Sequence, residues 1–274
     1  MSFREGIPGF FLFAALAAAS CRFSAPKPTA PPAALRACFL LDEIGVGRVV
    51  RAPAEGCAVR TTPASTFKIP HALAALDAKV VTPDEVFRYD GRPWPHPSYR
   101  HDQTLASALR NSVLWYFQEL ARRLGPAREG EYLARFDYGN RDISSGLESF
   151  WLYESLAISP EEQEKFLLRL YQDTLPVGHE TQELVRRALV QPAGSVVNAV
   201  GEHPFARPWP PGTVLSAKTG SGSQPNLPDV RWLVGHVRRG PRAWIFVSNV
   251  VGPDLPPLAA VDQAAAALKQ AGVL

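Results

Sequence analysis

The placement of strand-like segments along the chain constrains the fold more than any other sequence feature. Residues 37–52 read as two strands joined by a glycine turn. Three more β-rich runs lie near the other end, at 213–221, 230–239 and 242–250, and Gly240-Pro241 marks a hairpin between the last two. Helical patterns fill the space between. We therefore predict an α/β (α+β) fold, in which an antiparallel sheet built from both chain ends is flanked by helices and carries an inserted all-helical lobe.

The helical segments are predicted from apolar spacing and from start and stop signals. The clearest start is at Ser159, which is followed by Pro160 at the first helical position and by Glu162 as capping-box partner. A stop is expected at Gly125-Pro126. The predicted helices cover residues 65–77, 104–124, 129–136, the segment after Ser159, 181–189 and 261–270.

The composition is that of a globular protein, and its charge does not indicate a nucleic-acid partner. The chain has 274 residues, of which 46% are hydrophobic, enough for one large domain or two closely packed subdomains. Its net charge is +3, from 29 basic and 26 acidic residues. This small excess is scattered, so no nucleic-acid groove is expected.

The N-terminus has the pattern of an export leader. The apolar run at 7–19 is too short to span a bilayer but suits the core of a signal peptide. Ala17–Ala19 fits a cleavage site, and the small residues before Cys21 also resemble a bacterial lipobox. Lipidation at Cys21 and ordinary cleavage both remain open, and a buried N-terminal helix is the plainer alternative.

These patterns divide the chain into three parts. Residues 1–20 are predicted to be a signal peptide, with a lipobox reading that ends at Cys21, and 21–35 a proline-rich tether. Residues 36–274 form the folded domain. We expect an exported protein, either periplasmic or anchored to the outer membrane through a lipidated Cys21.

Two cysteines remain in the folded domain. Cys38 and Cys57 either form a disulfide that closes a short loop, as an oxidising compartment permits, or stay as two separate buried thiols. There is no C-x-x-C spacing in the sequence, which disfavours a zinc or thioredoxin-type site.

The segment "PASTFKIP" places Ser65 three residues before Lys68, on one face of a predicted helix. A serine becomes a nucleophile when a base takes its proton, and a lysine acts as that base when burial disfavours its charge. The plain alternative is an N-cap serine and a solvated lysine. A second motif, Lys218-Thr219-Gly220, lies on a strand-like run, where glycine allows a ligand close to the backbone and a cation holds a carboxylate.

An S-x-x-K segment followed by K-T-G on a strand is the pairing found in penicillin-recognising serine enzymes. With the segments around Ser112, Tyr138-Gly139-Asn140 and Trp151, the chain resembles the class D, or oxacillinase-type, serine β-lactamases from about Cys38 to Asn249. The resemblance implies hydrolysis of β-lactam antibiotics through an acyl-serine. The absence of an S-D-N triplet argues against a class A enzyme.

The resemblance also implies roles for individual residues. Ser65 would be acylated, and Lys68 would be carboxylated by CO2 or bicarbonate and act as general base. Ser112 would relay a proton to the leaving β-lactam nitrogen, and Lys218 would orient Ser112 and attract the substrate carboxylate. The backbone N–H groups of Ser65 and Ser221 would stabilise the oxyanion. No other cofactor and no metal are expected. The residues expected to bind substrate or line the pocket are Thr219, Gly220, Ser221, Tyr138, Asn140, Leu114, Phe117, Trp151 and Leu152.

Two positions depart from the family pattern. Leu114 stands where valine is usual, which keeps the pocket apolar but narrows it. Family members carry an arginine after the last strand that binds the substrate carboxylate, and this chain has Ala259 and Ala260 there. We therefore expect weakened capture of carboxylate-bearing substrates.

The histidines and one aromatic loop show no pattern that indicates a function. The six histidines show no metal-binding spacing and are expected to be surface or packing residues; they are His71, His96, His101, His179, His203 and His236. The aromatic loop at 202–212 either rims the pocket or covers the sheet.

The expected partner is a small-molecule β-lactam substrate, and the protein is expected to be a monomer or homodimer. Two other functions are alternatives to β-lactam hydrolysis. The first is a β-lactam sensor acylated at Ser65 without efficient turnover; the sequence shows no membrane spans of the kind that such receptors carry upstream. The second is a penicillin-binding protein, which the apolar Leu114 disfavours because those proteins usually carry asparagine there.

Overall fold

A computed structural model describes residues 1–2, 35–153 and 155–274 of the chain. The chain divides into two units, residues 1–31 and 32–274, and the structure presented below belongs to the second. The predicted signal peptide, the lipobox at Cys21 and nearly all of the tether lie outside the described residues. Within the described ranges, no helix has the length and apolar character needed to cross a membrane.

The strands come from the two ends of the domain, as predicted. In chain order they are β1 (Arg36–Glu43), β2 (Gly47–Ala52), β3 (Ser195–Val197), β4 (Glu202–Pro204), β5 (Thr213–Gly222), β6 (Asp229–Arg239) and β7 (Arg242–Gly252). Five of them form one sheet in the order β2-β1-β7-β6-β5, and every neighbouring pair is antiparallel. Strands β3 and β4 form a separate two-stranded hairpin that the sequence did not predict.

The helices lie mainly between β2 and β5. They are α1 (Ala54–Cys57), α2 (Lys68–Asp77), α3 (Leu105–Arg110), α4 (Leu114–Phe136), α5 (Pro160–Tyr171), α6 (His179–Ala188) and α7 (Ala259–Gln270), with 3-10 turns at Ala64–Phe67 and Pro97–Tyr99. The predicted capping box is present, because Ser159 Oγ accepts from Glu162 N at 3.2 Å and a Glu162 carboxylate oxygen accepts from Ser159 N at 2.8 Å. The predicted fold class is confirmed.

The central strands of the sheet are buried on both faces, because alternate residues of β1, β6 and β7 enter different cores. On β6, Trp232 and Val234 pack with the helical lobe. Their neighbours Leu233 and Val237 pack on the other face, against residues of α7 such as Leu268. The sheet therefore holds β5 and β6 rigidly against the lobe on one side.

The predicted continuous helix over 104–124 is wrong. Helix α3 ends at Arg110, and α4 begins at Leu114 after Ser112, whose φ is 60°. No glycine or proline marks this break in the sequence. It depends on a tertiary contact, in which the hydroxyl of Tyr99 donates to the Ser112 carbonyl at 2.6 Å.

The expected stop at Gly125-Pro126 is a kink rather than an end. Gly125 has a φ of 74°, and helical structure resumes at once and continues to Phe136. Pro126 is tolerated because the first turn of a helix leaves its N–H groups unbonded in any case. The predicted short helix at 129–136 is thus the second part of α4.

The structure decides between the two interpretations of the cysteines. Cys38 and Cys57 form a disulfide with their Cα atoms 5.1 Å apart. Both residues are fully buried, and the bridge links β1 to α1. The bond closes a loop between residues 19 apart in sequence.

Candidate active site

Ser65 lies in the 3-10 turn at Ala64–Phe67, directly before α2 begins at Lys68. Lys68 Nζ is 2.7 Å from Ser65 Oγ and donates to it. The lysine side chain is almost completely buried, at 1% exposure, while Ser65 is half-buried. Burial lowers the pKa of Lys68 to about 7. Near neutral pH a large fraction of this amine is therefore uncharged.

A second serine–lysine pair has one residue on the helical lobe and one on the sheet. Lys218 Nζ, from β5, donates to Ser112 Oγ at 3.0 Å and to the Thr219 carbonyl at 2.9 Å. Burial lowers the pKa of Lys218 well below its usual value, and the charge of Lys68 lowers it further. Ser112, which has a left-handed backbone conformation, lies at the break between α3 and α4. The break places its hydroxyl within hydrogen-bond distance of Lys218 on β5.

Gly220 allows β5 to lie against the turn that holds Ser65. A Cβ atom at this position would come within 3.0 Å of the Pro63 carbonyl oxygen and of a Thr66 methyl group. A contact this tight would force the neighbouring backbone to shift by a few tenths of an ångström. The glycine therefore permits the close approach of β5 to the turn.

These elements enclose a cavity of about 310 Å³, within the size range of small-molecule sites. Of the predicted residues, the structure brings five to its wall, namely Ser65, Ser112, Thr219, Gly220 and Ser221. The buried Lys68 and Lys218 reach it through their hydrogen bonds to the two serines. Wall residues that the sequence analysis did not identify include His96, Tyr99, Asn198, Val200, Arg231 and Trp232.

Aromatic rings form a dry surrounding for Lys68. Lys68 Nζ lies 5.5 Å from the centroid of the Phe117 ring. Trp151 stacks on Phe67 with centroids 5.6 Å apart, and all three rings are buried. The indole Nε1 of Trp151 is buried and has no hydrogen-bond partner. It is a donor for which this ring cluster supplies no acceptor.

The remaining predicted binding residues lie outside the cavity wall. Tyr138 is fully buried against Phe67 and Phe166, where burial raises its pKa. Asn140 donates to the Ser155 carbonyl at 2.7 Å and accepts from Ala157 N at 2.9 Å. Asn140 therefore braces the loop that carries Trp151, because its side chain bonds to two backbone groups of that loop, while Tyr138 packs in the core.

Leu114 and Leu152 are half-buried and pack against the main core rather than into the cavity. The loop at 202–212 covers the sheet, since Phe205 and Trp209 pack in the core on the α7 side. The cavity wall is supplied instead by residues Asn198–Val200, between β3 and β4. Strands of three residues carry too weak a pattern for this wall to be predicted.

Arg231 is a buried charge in the cavity wall, at 6% exposure. Its guanidinium donates to four backbone carbonyls, including Gly222 O at 2.8 Å and Leu255 O at 3.2 Å, and lies 3.2 Å from the Asp229 carboxylate. Each of the three guanidinium nitrogens thus donates to at least one backbone carbonyl. Arg231 ties the end of β5 to the segment after β7, and its charge is balanced by Asp229.

In the described part of the chain, no three His, Cys, Asp or Glu side chains are arranged to hold a metal ion.

An antiparallel sheet with an inserted helical lobe and two serine–lysine pairs at their junction defines the penicillin-recognising class of serine proteins. Consistent with this, residues 48–271 match the family described as the penicillin-binding protein transpeptidase domain.

Comparison with known proteins narrows this class. The structure of the class D β-lactamase BAT-2 superposes with a TM-score of 0.76 at 32% identity, over 88% of this chain and 93% of that one. The chain belongs to the class D β-lactamase family. The probable β-lactamase YbxI of Bacillus subtilis is 38% identical over 194 residues, which are 70% of this chain and 65% of that protein. The chain thus spans just under two thirds of the length of this relative.

A receptor domain has the same fold. The C-terminal domain of the Bacillus licheniformis BlaR penicillin receptor superposes with a TM-score of 0.76 at 26% identity, over 88% of this chain and 92% of that domain. Fold alone therefore does not separate an enzyme from a sensor.

Proposed function

We propose that this protein hydrolyses β-lactam antibiotics, with Ser65 as the residue that is acylated. The observation that carries the proposal is the 2.7 Å contact between Ser65 Oγ and the buried amine of Lys68, at the wall of a ligand-sized cavity. A neutral amine at this distance accepts the serine proton as Oγ attacks. Few surface serine–lysine pairs meet this condition, because a solvated lysine stays charged.

Acylation forms a bond between Ser65 Oγ and the lactam carbonyl carbon and then breaks the lactam C–N bond. The backbone N–H groups of Ser65 and Ser221, both at the cavity wall, are the proposed donors to the oxyanion. Ser112 gives its proton to the departing nitrogen, and the proton that Lys68 took from Ser65 then restores the Ser112 hydroxyl. Lys218 Nζ donates to Ser112 Oγ and so leaves the hydroxyl proton free to transfer. Water then cleaves the ester and returns the Ser65 hydroxyl.

Lys68 meets the chemical requirements for carboxylation by CO2. The reaction needs an uncharged amine in a dry surrounding, which burial, the lowered pKa and the aromatic rings supply. The unpartnered Trp151 Nε1 is a suitable donor to a carbamate oxygen. The carbamate, when present, supplies an anionic base for both acylation and ester hydrolysis.

Turnover in the presence of bicarbonate tests the proposal. We expect sustained hydrolysis of a penicillin and of an oxacillin-type substrate by the purified protein, with a higher rate after bicarbonate is added. Acyl-protein should appear in mass spectra only transiently. A single stoichiometric burst with a long-lived adduct would instead establish a sensor like the BlaR domain, and the enzymatic proposal would fall.

Substrate carboxylate recognition is proposed to rest on the Thr219 hydroxyl and the Lys218 amine, since all three guanidinium nitrogens of Arg231 are engaged by backbone carbonyls. Ala260 lines the cavity, whereas Ala259 is not part of its wall. We predict that Ala260→Arg raises kcat/KM for carboxylate-bearing penicillins by about tenfold, the effect of one charge-assisted hydrogen bond. Ala260→Leu is the uncharged control, and equal kcat/KM for the two variants would contradict the prediction.

We also propose that the protein is exported. The support is the Cys38–Cys57 disulfide, because such bonds persist mainly in oxidising compartments.

A further inference from the structure

A buried histidine–glutamate pair lies behind the ring cluster of the active site. His71 is on α2, three residues after Lys68, and Glu129 is on the part of α4 that follows the Gly125 kink. Their side chains are 0% and 2% exposed, and His71 Nε2 is 2.7 Å from Glu129 Oε1. The contact is close but does not have the geometry of a hydrogen bond.

The sequence analysis expected His71 to be a packing or surface residue. Packing alone does not explain a carboxylate placed beside it in the core, because an unpartnered buried carboxylate is strongly unfavourable. The His71 imidazole is a polar group 2.7 Å from a Glu129 carboxylate oxygen in this apolar surrounding. The close contact with Glu129 fixes the position of the imidazole.

The imidazole contacts Phe117, the ring beside the Lys68 amine, and also Phe67 and Trp151. Its centroid is 5.6 Å from that of Trp151, in an edge-to-face arrangement, and 5.3 Å and 5.7 Å from those of Phe67 and Phe117. Phe67 stacks on one face of the Trp151 indole, and the Thr62 hydroxyl donates a hydrogen bond to the Trp151 carbonyl at 2.8 Å. His71 is thus the polar member of the group that sets the orientation of the indole.

We propose that the His71–Glu129 pair is a positioning device that holds Trp151 with its free indole N–H ready to stabilise a carboxylated Lys68. The inference rests on the proposed function and extends it to two residues on different helices. Loss of the pair should weaken the hold on the carbamate, while Ser65, Ser112 and Lys218 keep their own contacts. The pair therefore acts on the base, not on the acylation machinery.

Three variants test this inference. His71→Ala and Glu129→Leu each break the pair, whereas Glu129→Gln keeps an oxygen beside His71 Nε2. The main readout is the lysine carbamate signal in 13C NMR during titration with labelled bicarbonate. We expect His71→Ala and Glu129→Leu to need about tenfold more bicarbonate for half occupancy, and Glu129→Gln to stay close to the parent.

A stability control separates positioning from general loosening of the core. Val185→Ala shortens another fully buried side chain of the main core, on α6, and should lower the unfolding temperature without changing the carbamate titration. If His71→Ala does not fold, the two Glu129 variants still decide the question. A parent-like titration for Glu129→Leu would overturn the inference, as would a Val185→Ala titration shifted equally.

The same titration distinguishes this inference from the proposal beneath it. Absence of any carbamate signal in the parent protein would refute carboxylation of Lys68, and with it this role for the pair. A clear parent signal that is unchanged in the pair-breaking variants would refute the positioning role alone.

Discussion

Replacing Ser65 with alanine is expected to lower kcat/KM for penicillins by about 10,000-fold or more and to abolish the covalent adduct. The reason is that the reaction forms a bond to Ser65 Oγ, and removal of a nucleophile costs nearly the whole covalent contribution to the rate. The measurement combines steady-state hydrolysis with mass spectrometry of protein mixed with excess penicillin. The parent protein should gain the mass of one penicillin, and the variant none.

Ser144→Ala is the matched control, because this exposed serine lies in a surface loop and outside the cavity wall. It should form the adduct and turn over at the parent rate. The Ser65 variant should also retain reversible, non-covalent binding, since Thr219 and Lys218 are unchanged. A penicillin adduct on the Ser65→Ala protein would show that another residue is the nucleophile.

Replacing Lys68 with alanine should separate the two halves of the reaction. Ester hydrolysis loses its base and is expected to slow by about 1,000-fold, within the range of general-base contributions. Acylation also slows, but a slowly formed adduct should then persist, because nothing activates the water. Rapid mixing followed by mass spectrometry over hours measures both rates. Lys165→Ala, which removes an exposed lysine of α5, is the control.

The pH dependence follows from the same residue. Burial lowers the pKa of Lys68 to about 7, so the amine is charged below this pH and neutral above it. Both proton acceptance and carboxylation need the neutral form. Activity should therefore fall as the pH drops through about 7 in the parent protein, and the slow residual rate of Lys68→Ala should lack this step. A parent profile that is flat between pH 5 and 8 would contradict this account.

Local patterns account for the parts of the site that the sequence predicted. The three-residue spacing of Ser65 and Lys68 places them on one helical face, and β-rich composition places Lys218 on a strand. Both expectations depend only on neighbouring residues. The order of strands and helices along the chain was also sufficient to predict the sheet and its inserted lobe.

The parts that were missed depend on contacts between distant segments. The left-handed conformation at Ser112 is tied to Tyr99, and the pairing of His71 with Glu129 joins two helices. The sequence around Arg231 does not predict that carbonyls after β7 accept from its guanidinium. Motif similarity gives the order of residues along the chain but not their burial. Tyr138 and Asn140 were expected at the substrate, whereas Tyr138 packs in the core and Asn140 bonds within a loop.

The junction between sheet and lobe has a consequence for how the protein acquires its chemistry. Ser65, Lys68 and Ser112 belong to the lobe, while Lys218 and Thr219 belong to the sheet, so neither layer alone contains a working set of groups. A refolding chain can regain its helices and strands and still be inert until the layers meet. The time at which turnover recovers during refolding therefore reports when the sheet and the lobe pack together. The delay between recovery of the circular dichroism signal and recovery of turnover measures how long the two layers are folded but not yet packed.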